Sequence, residues 1–600
     1  MNNDNDLERA IALSLQGHNE SVLDEGEALF QDQLRQALEA SKANNLEPAH
    51  APPLTSTFLS ERAQLEKERR ERQKRHRKAQ GLPDSDDEGR VASDEEDIEQ
   101  PKAKRQRLSS SYDDQASART GTATSSYELN SNEGPFFWAG EWRPTATQGV
   151  DPRMDGRATF RLTEVLGNKS EISFAILSSF ALDLPWIYSF FDPSVPVIMV
   201  AQPDANGQAG VKNALPNWIK TTPFLKGGFG CMHMKIFYKT GRLRVVVSTA
   251  NLIPYDWRDI ENAVWLQDLS LLSKHTTFDK QDKESFPYII KRVLDRVNVT
   301  PALSLMLKQG HPNLPIKSTE DVCTRWDWSK VKVHLVPSIS GKHEGWPNVI
   351  LNGHVRLMKV VRSMGLRTGS GLNEKRLQLE YQGSSIGAYT TQWINEFYHS
   401  AKGDSAGDWL DKPKSRREKL PYPVDLKVLF PTLATVRGSQ YRERGGGNLF
   451  FKRSYWQGAK FPRELFYDSR SKAGNTLMHT KMIVSTLSPK STRGSKQKVI
   501  NVDTDSEDND SDVEIINTNG GWAYLGSHNF TPSAWGTLSG SAFNPVMNIR
   551  NYELGIVFPL RDEAEVTKSA CFERPPRKYS AGDSPWIAEE SIVFKQDSSS

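Results

Sequence analysis

Two histidine–lysine pairs stand 246 residues apart in this chain of 600: His233 with Lys235 in Cys231-Met-His-Met-Lys, and His479 with Lys481 in Met478-His-Thr-Lys. Each pair leads into an apolar run that closes on Ser/Thr-x-Asn, ending at Asn251 after the first and at Asn529 after the second. Side chains two apart on a strand share a face, so His233 and Lys235 project together, and so do Thr249 and Asn251. Lys235 and Asn251 are 16 apart and Lys481 and Asn529 are 48 apart; removing the 32-residue polar stretch 488–519 makes the spacings equal. That stretch is therefore expected in the hairpin between two paired strands. A lone His-x-Lys is more often a packed or surface pair than a catalyst, and it is the duplication that carries the signal. Two imidazoles, two ammonium groups and two carboxamides suit attack on a phosphodiester, which requires a nucleophile, a proton for the leaving oxygen and positive charge around the equatorial oxygens. Near neutral pH one imidazole can be neutral and the other protonated, the pairing that covalent catalysis with general-acid help calls for.

Strand-like runs, among them residues 195–201, 243–249, 481–486, 522–527 and 552–558, alternate with amphipathic segments of helical length from about residue 134 onward. This pattern predicts α/β layering. The most apolar stretch, Ile172 to Phe191, contains Asp183 and Pro185 and reads as a core helix and its exit, too interrupted for a membrane span. The 77 basic and 74 acidic residues leave a net charge of only +3, so partners must be sought in local clusters. The three cysteines, Cys231, Cys323 and Cys571, form no Cys-x-x-Cys pair and no zinc-ligand grouping, which points to a reducing compartment. The acidic N-terminus is unlike a secretory signal.

The two His-x-Lys segments resemble the paired motifs of the phospholipase D superfamily. Most members carry an aspartate a few residues past the lysine; here those positions are Thr240 and Thr486. That substitution, with Gly-Phe229-Gly, Asn251-Leu-Ile, Asp256-Trp257, Ser533-Ala-Trp535-Gly and Tyr552-Glu553-Leu-Gly, resembles the tyrosyl-DNA phosphodiesterase branch over about residues 134–590. The resemblance implies two phospholipase D-like α/β halves, 131–340 and 341–600, around one pseudo-twofold active site. It implies that His233 attacks phosphorus and that His479 acts as general acid and then general base. Lys235, Lys481, Asn251 and Asn529 would hold the non-bridging oxygens, with no cofactor and no metal. Glu553 matches a residue that orients a catalytic histidine, and Asn262 stands where the family often has glutamine. Phe229 would stack on a base, and Ser384 and Ser385 resemble a serine pair that binds the phosphate backbone. The substrate implied is DNA, single-stranded or at 3′ ends blocked by a trapped topoisomerase I tyrosine.

Leu7, Ala10, Ile11 and Ser14 recur 27 residues later as Leu34, Ala37, Leu38 and Ser41, each set one stripe of a short helix flanked by acids. Both copies, within residues 1–50, resemble the ubiquitin-interacting motif. Residues 51–130 are too polar to form a core and read as a disordered linker, whose basic runs at 68–80 and 101–107 read as nuclear import signals or as nucleic-acid contacts, with the leading proline of the second run favouring import. Ser85 and Ser93 precede acidic runs and are candidate phosphorylation sites. Around Val502 and Val513–Ile516, within 499–516, short β-branched runs beside acids resemble SUMO-interacting motifs. The expected protein is a nuclear monomer with no membrane element. Its rivals are another superfamily nuclease or phospholipase, and an inactive ubiquitin- and SUMO-binding scaffold.

Overall fold

Ile172-Ser-Phe-Ala-Ile-Leu-Ser178 is not the expected core helix: in the computed structural model it is a central strand, buried almost throughout. A strand covered on both faces reads as a continuous apolar run, and periodicity alone does not separate it from a buried helix. Asp183 and Pro185, which interrupt the stretch, start the short helix Leu184–Tyr188; the Asp183 carboxylate accepts from the Trp186 amide, and proline sits in the first turn. The structure describes residues 136–150, 152–202, 209–225, 234–239 (backbone only), 241–370, 374–489 and 520–595. The ubiquitin-like repeat, the basic runs, Ser85, Ser93, the SUMO-like runs, Phe229 and His233 all lie outside the described residues.

Eight strands form the first sheet: β1 (Glu141–Pro144), β2 (Ile172–Ser178), β3 (Val197–Val200), β4 (Gly210–Leu215), β5 (Trp218–Thr222), β6 (Met234–Lys239), β7 (Arg242–Ser248) and β8 (Ala263–Ser270). Next come β9 (His334–Ser338), β10 (Gly341–Glu344), β11 (Lys375–Gln382), β12 (Leu426–Phe430), β13 (Phe466–Asp468), β14 (Met482–Pro489), β15 (Gly521–Gly526), β16 (Thr537–Gly540), β17 (Pro545–Ile549) and β18 (Glu553–Leu560). Across the first sheet the order is β1-β8-β7-β6-β2-β3-β5-β4, and across the second it is β9-β18-β15-β14-β11-β12-β13. Position for position these are the same topology, with β4 as an added edge. The directions agree as well. β2-β3-β5 and β11-β12-β13 are parallel, and the remaining pairs in each sheet are antiparallel. The small sheet β10-β17-β16 was not foreseen.

The second sheet takes its first strand from His334, ahead of the expected division at 341, because β9 pairs with β18 through Glu553↔Ser338 to Val557↔His334. The polar insert does lie between the paired strands β14 and β15, but its start moves from 488 to 490, since Ser488 and Pro489 still pair with Arg376 and Lys375 of β11.

Alternation along the strands assigns the cores. Val245 and Val247 of β7 share one buried cluster with Ala523 and Leu525 of β15 and Leu554 and Ile556 of β18, so the sheets meet face to face through it. Val246 points to a second cluster with helix Leu184–Tyr188. Trp522 and Tyr524 point to a third, covered by helices Gly353–Ser363 and Thr391–Ala401. The glycine of Tyr-Glu-Leu-Gly555 pairs with Gly526, and the Tyr524 ring lies across both; a Cβ on either would come within 2.3 Å of that ring or its hydroxyl. Close packing, not backbone freedom, requires glycine at those two positions.

Candidate active site

The two halves are stitched together at the segments that precede β8 and β14. Glu261 bridges Met478: the Glu261 amide donates to Leu477 O at 2.9 Å and the His479 amide donates to Glu261 O at 2.8 Å. This stitch brings His479 of the second half beside Asn262 of the first. Beneath it the Glu261 carboxyl, fully buried, is paired with Arg153 Nη1 at 2.8 Å and accepts from the Ser471 hydroxyl. Burial pushes Glu261 upward in pKa, opposed by the charge of Arg153 and the two hydrogen bonds.

Backbone placement then leaves the His479 ring buried between opposite demands. Its Nδ1 lies 3.1 Å from Asn262 Oδ1 and 3.2 Å from Asp256 Oδ2, both acceptors. Its Nε2 lies 2.9 Å from the Lys481 ammonium, which also donates to Thr249 O at 3.3 Å. The amide of Asn262 is fixed the right way round for this, since Nδ2 donates to Asp256 O at 2.8 Å and Oδ1 also accepts from the Thr249 hydroxyl at 2.8 Å. An ammonium only donates and a carboxylate only accepts, so the arrangement selects one tautomer: Nδ1 carries the proton and Nε2 offers its lone pair. The shorter side chain at 262 reaches the histidine.

The two asparagines are held alike. Asn251 Oδ1 accepts from the Ala181 amide at 3.2 Å, and Asn529 Oδ1 accepts from the amides of Ser384 and Ser385 at 3.0 Å each and from the Ser384 hydroxyl at 3.2 Å. Ala181 follows β2 and the serines follow β11, equivalent strands in the two sheets. The serine pair is therefore brought to Asn529, and one effect of its donors is to fix that amide with Nδ2 as the end that can meet a phosphate oxygen. Lys235 is on β6 opposite Leu177 of β2 and Val246 of β7, the strand equivalent to the one that Lys481 leads into. Thr486, standing where most of the superfamily has an aspartate, lies on β14 and its hydroxyl accepts from Arg574.

Glu553 occupies at the start of β18 the place that Asn262 takes before β8. It is buried, receives the Ser527 hydroxyl and Asn551 Nδ2, and burial pushes its carboxyl up to about 7. For the ligand-free protein the sign is definite. The folded state holds this proton more tightly than the unfolded state, so the stabilising contribution is complete below about pH 4.5 and is lost as pH rises through 7. The loss is on the order of 3 kcal/mol. Glu553→Gln should therefore raise the melting temperature relative to wild type at pH 8 and leave it nearly unchanged at pH 4.5; equal shifts at both would contradict the assignment.

Two further participants were not singled out from the sequence. Asp256, noted only within Asp256-Trp257, is fully buried against His479 and Asn251. Asn448, also fully buried, donates through Nδ2 to Asp256 Oδ1 from a glycine-rich segment of the second half. A signal for Asp256 was available, because Asn251-x-x-Pro-x-Asp-Trp257 repeats as Asn529-x-x-Pro-x-Ala-Trp535. Asn448 had none, since its closeness to the site is created by the tertiary fold.

Among the described residues no group of three or more His, Cys, Asp or Glu side chains is placed to hold a metal ion, and no helix is long and apolar enough to cross a membrane.

The family described as tyrosyl-DNA phosphodiesterase matches residues 144–588. Tyrosyl-DNA phosphodiesterase 1 of Arabidopsis thaliana is 27% identical over 410 residues, covering 65% of this chain and 57% of that protein. A probable tyrosyl-DNA phosphodiesterase of Caenorhabditis elegans is 24% identical over 468 residues, covering 73% of this chain and 86% of that protein. The crystal structure of the yeast tyrosyl-DNA phosphodiesterase aligns with a TM-score of 0.47 at 15% identity, over 75% of this chain and all of that one. The chain thus spans little more than half the length of the Arabidopsis relative. The family match takes in both sheets, both asparagines, His479 with Lys481, and Glu553, and on that extent the chain belongs to the tyrosyl-DNA phosphodiesterase family.

Proposed function

We propose that this protein hydrolyses the phosphodiester joining a tyrosine, or another blocking group, to a DNA 3′ end, through a covalent phosphohistidine. The observation that carries the reading is the grip on His479: proton fixed on Nδ1, lone pair on Nε2, and the Lys481 cation beside it. In the first step the His479 ring carries a second proton, on Nε2 as well as Nδ1; His233 attacks phosphorus, the P–O bond to tyrosine breaks, and the Nε2 proton passes to the phenolate, leaving Nε2 with its lone pair for the second step. In the second, water loses a proton to Nε2 and attacks phosphorus, and the P–N bond breaks to release a 3′-phosphate and restore His233. Lys235, Lys481, Asn251 and Asn529 hold the non-bridging oxygens, and Ser384, Ser385 and Phe229 contact the strand.

In this reading the N-terminal repeat binds ubiquitin, 499–516 binds SUMO, the basic runs direct the protein to the nucleus, and it acts as a monomer on trapped topoisomerase I adducts. Support for these comes from the sequence patterns described above.

The test is incubation of purified protein, in excess EDTA, with a labelled single-stranded oligonucleotide carrying a 3′-phosphotyrosine. A 3′-phosphate product is expected. No conversion, or conversion that EDTA abolishes, would move the assignment to another superfamily substrate or to a binding scaffold.

A further inference from the structure

The two halves repeat each other through Asn-x-x-Pro-x-x-Trp, and among the positions that differ one sets a carboxylate against a methyl group: Asp256 in the first, Ala534 in the second. Pro254 and Pro532 each open a short helix after the asparagine, so both positions sit on equivalent turns. Ala534 is packed among aromatic rings, whereas Asp256 lies at the seam of the two halves. Its Oδ2 accepts from the Asn251 amide at 2.7 Å and from Asn251 Nδ2 at 2.9 Å, and stands 3.2 Å from His479 Nδ1. Its Oδ1 accepts from Asn448 Nδ2. Three N–H donors suit an ionised carboxylate, which has acceptor sites for all of them and no proton to place. A buried carboxylate that served only to hold Asn251 would not need to lie within hydrogen-bonding distance of a ring nitrogen on the other half.

We propose that Asp256 is a positioning residue of the reaction: its carboxylate keeps the His479 proton on Nδ1, stabilises the imidazolium, and so makes Nε2 the proton donor in the first step and acceptor in the second. Asn262 supplies the neutral half of the grip on Nδ1 and Asp256 the charged half. The same carboxylate holds Asn251, which ties the orientation of a phosphate-holding amide to that of the acid/base histidine. Asn448 closes the arrangement from the second half. Among the described residues, charged groups near His479 besides Asp256 include Lys481 on Nε2, Glu553, which interacts with Lys481, and Glu261, which supports the ring through its backbone and is paired with Arg153. Lys481 disfavours the imidazolium, and the charge of Asp256 opposes it. The difference between Asp256 and Ala534 gives the duplicated halves a reason to take unlike roles.

This inference rests on the phosphodiesterase reading, and the experiment separates the two. Wild-type protein is first assayed on the 3′-phosphotyrosyl oligonucleotide; failure there overturns the reading itself. Given wild-type turnover, kcat and KM are followed from pH 5 to 9 for Asp256→Asn, Asp256→Glu and Asn448→Ala, with folding checked by circular dichroism. For Asp256→Asn, kcat should fall on the order of 10²–10⁴-fold, KM should stay within a few fold, and the limb of the kcat profile that reports His479 should move to lower pH because the imidazolium has lost its counter-charge. Asp256→Glu should restore much of the rate and return the limb toward its wild-type position. Asn448→Ala removes a donor from the same carboxylate and leaves its charge less offset, so it should move the limb to higher pH by a smaller amount, and it reads the same quantity if Asp256→Asn does not fold. A folded Asp256→Asn protein with unchanged kcat, or with a reduced rate but an unmoved pH limb, would overturn the proposal.

Discussion

Alanine at His233 should abolish cleavage of a 3′-phosphotyrosyl oligonucleotide, a loss on the order of 10⁴-fold or more in kcat, whereas alanine at His479 should let the first step proceed and arrest the second. The asymmetry follows from what each step asks of the acid/base. A tyrosine phenolate is a moderately good leaving group, with a pKa of about 10, and departs without full protonation. Water is a poor nucleophile at neutral pH and requires the base. General acid–base help contributes roughly 10²–10⁴-fold, and most of that should be lost from hydrolysis of the phosphohistidine. The visible consequence is a protein–DNA adduct on a denaturing gel, formed rapidly by His479→Ala, cleared slowly, and absent from His233→Ala. An adduct formed by His233→Ala, or none by a folded His479→Ala protein, would reverse the roles or remove them.

Arg153→Met should cost about 3–5 kcal/mol of folding stability in chemical denaturation, because it leaves Glu261 fully buried without its counter-charge. The methionine fills most of the volume, so the loss is electrostatic more than steric. Replacing both partners, Arg153→Met with Glu261→Gln, should recover a large part, since two neutral side chains demand little at that site and the Ser471 hydroxyl can still meet the amide. The single substitution should also depress kcat at temperatures where the protein remains folded, because the backbone of Glu261 receives the amide of His479. A loss below 1 kcal/mol would mean that the pair is not buried in solution.

The duplicated core was legible because both signals are local. A His-x-Lys at a strand start and an Asn after the next strand are fixed by a period of two; the spacings are equal with 488–519 removed and two apart with the insert as the strands bound it, 490–519, because β14 runs on through Ser488 and Pro489. The strands at 195–201, 243–249, 481–486, 522–527 and 552–558 were legible for the same reason. The stretch at 172–178 was misread because a strand buried on both faces has no alternation to show. The division at 341 was placed late because the pairing of β9 with β18 is a contact between distant segments, invisible to local pattern. Asn448 and the pair Arg153–Glu261 belong to the same class: each meets the site only after the two sheets have packed. Asp256 was within reach, since the aligned repeat displays it against Ala534, but a single carboxylate in one copy carries no meaning until a ring nitrogen is seen beside it.

The hairpin β14–β15 fixes where the insert is attached relative to the site. His479 and Lys481 stand where β14 begins and Asn529 just after β15 ends, whereas residues 490–519 leave and rejoin at Pro489 and Gly520, the other ends of those strands. Eight residues of strand put roughly 25 Å between the chemistry and that exit. The roots of the insert and the chemistry therefore stand at opposite ends of one hairpin, like the heel and the point of a blade.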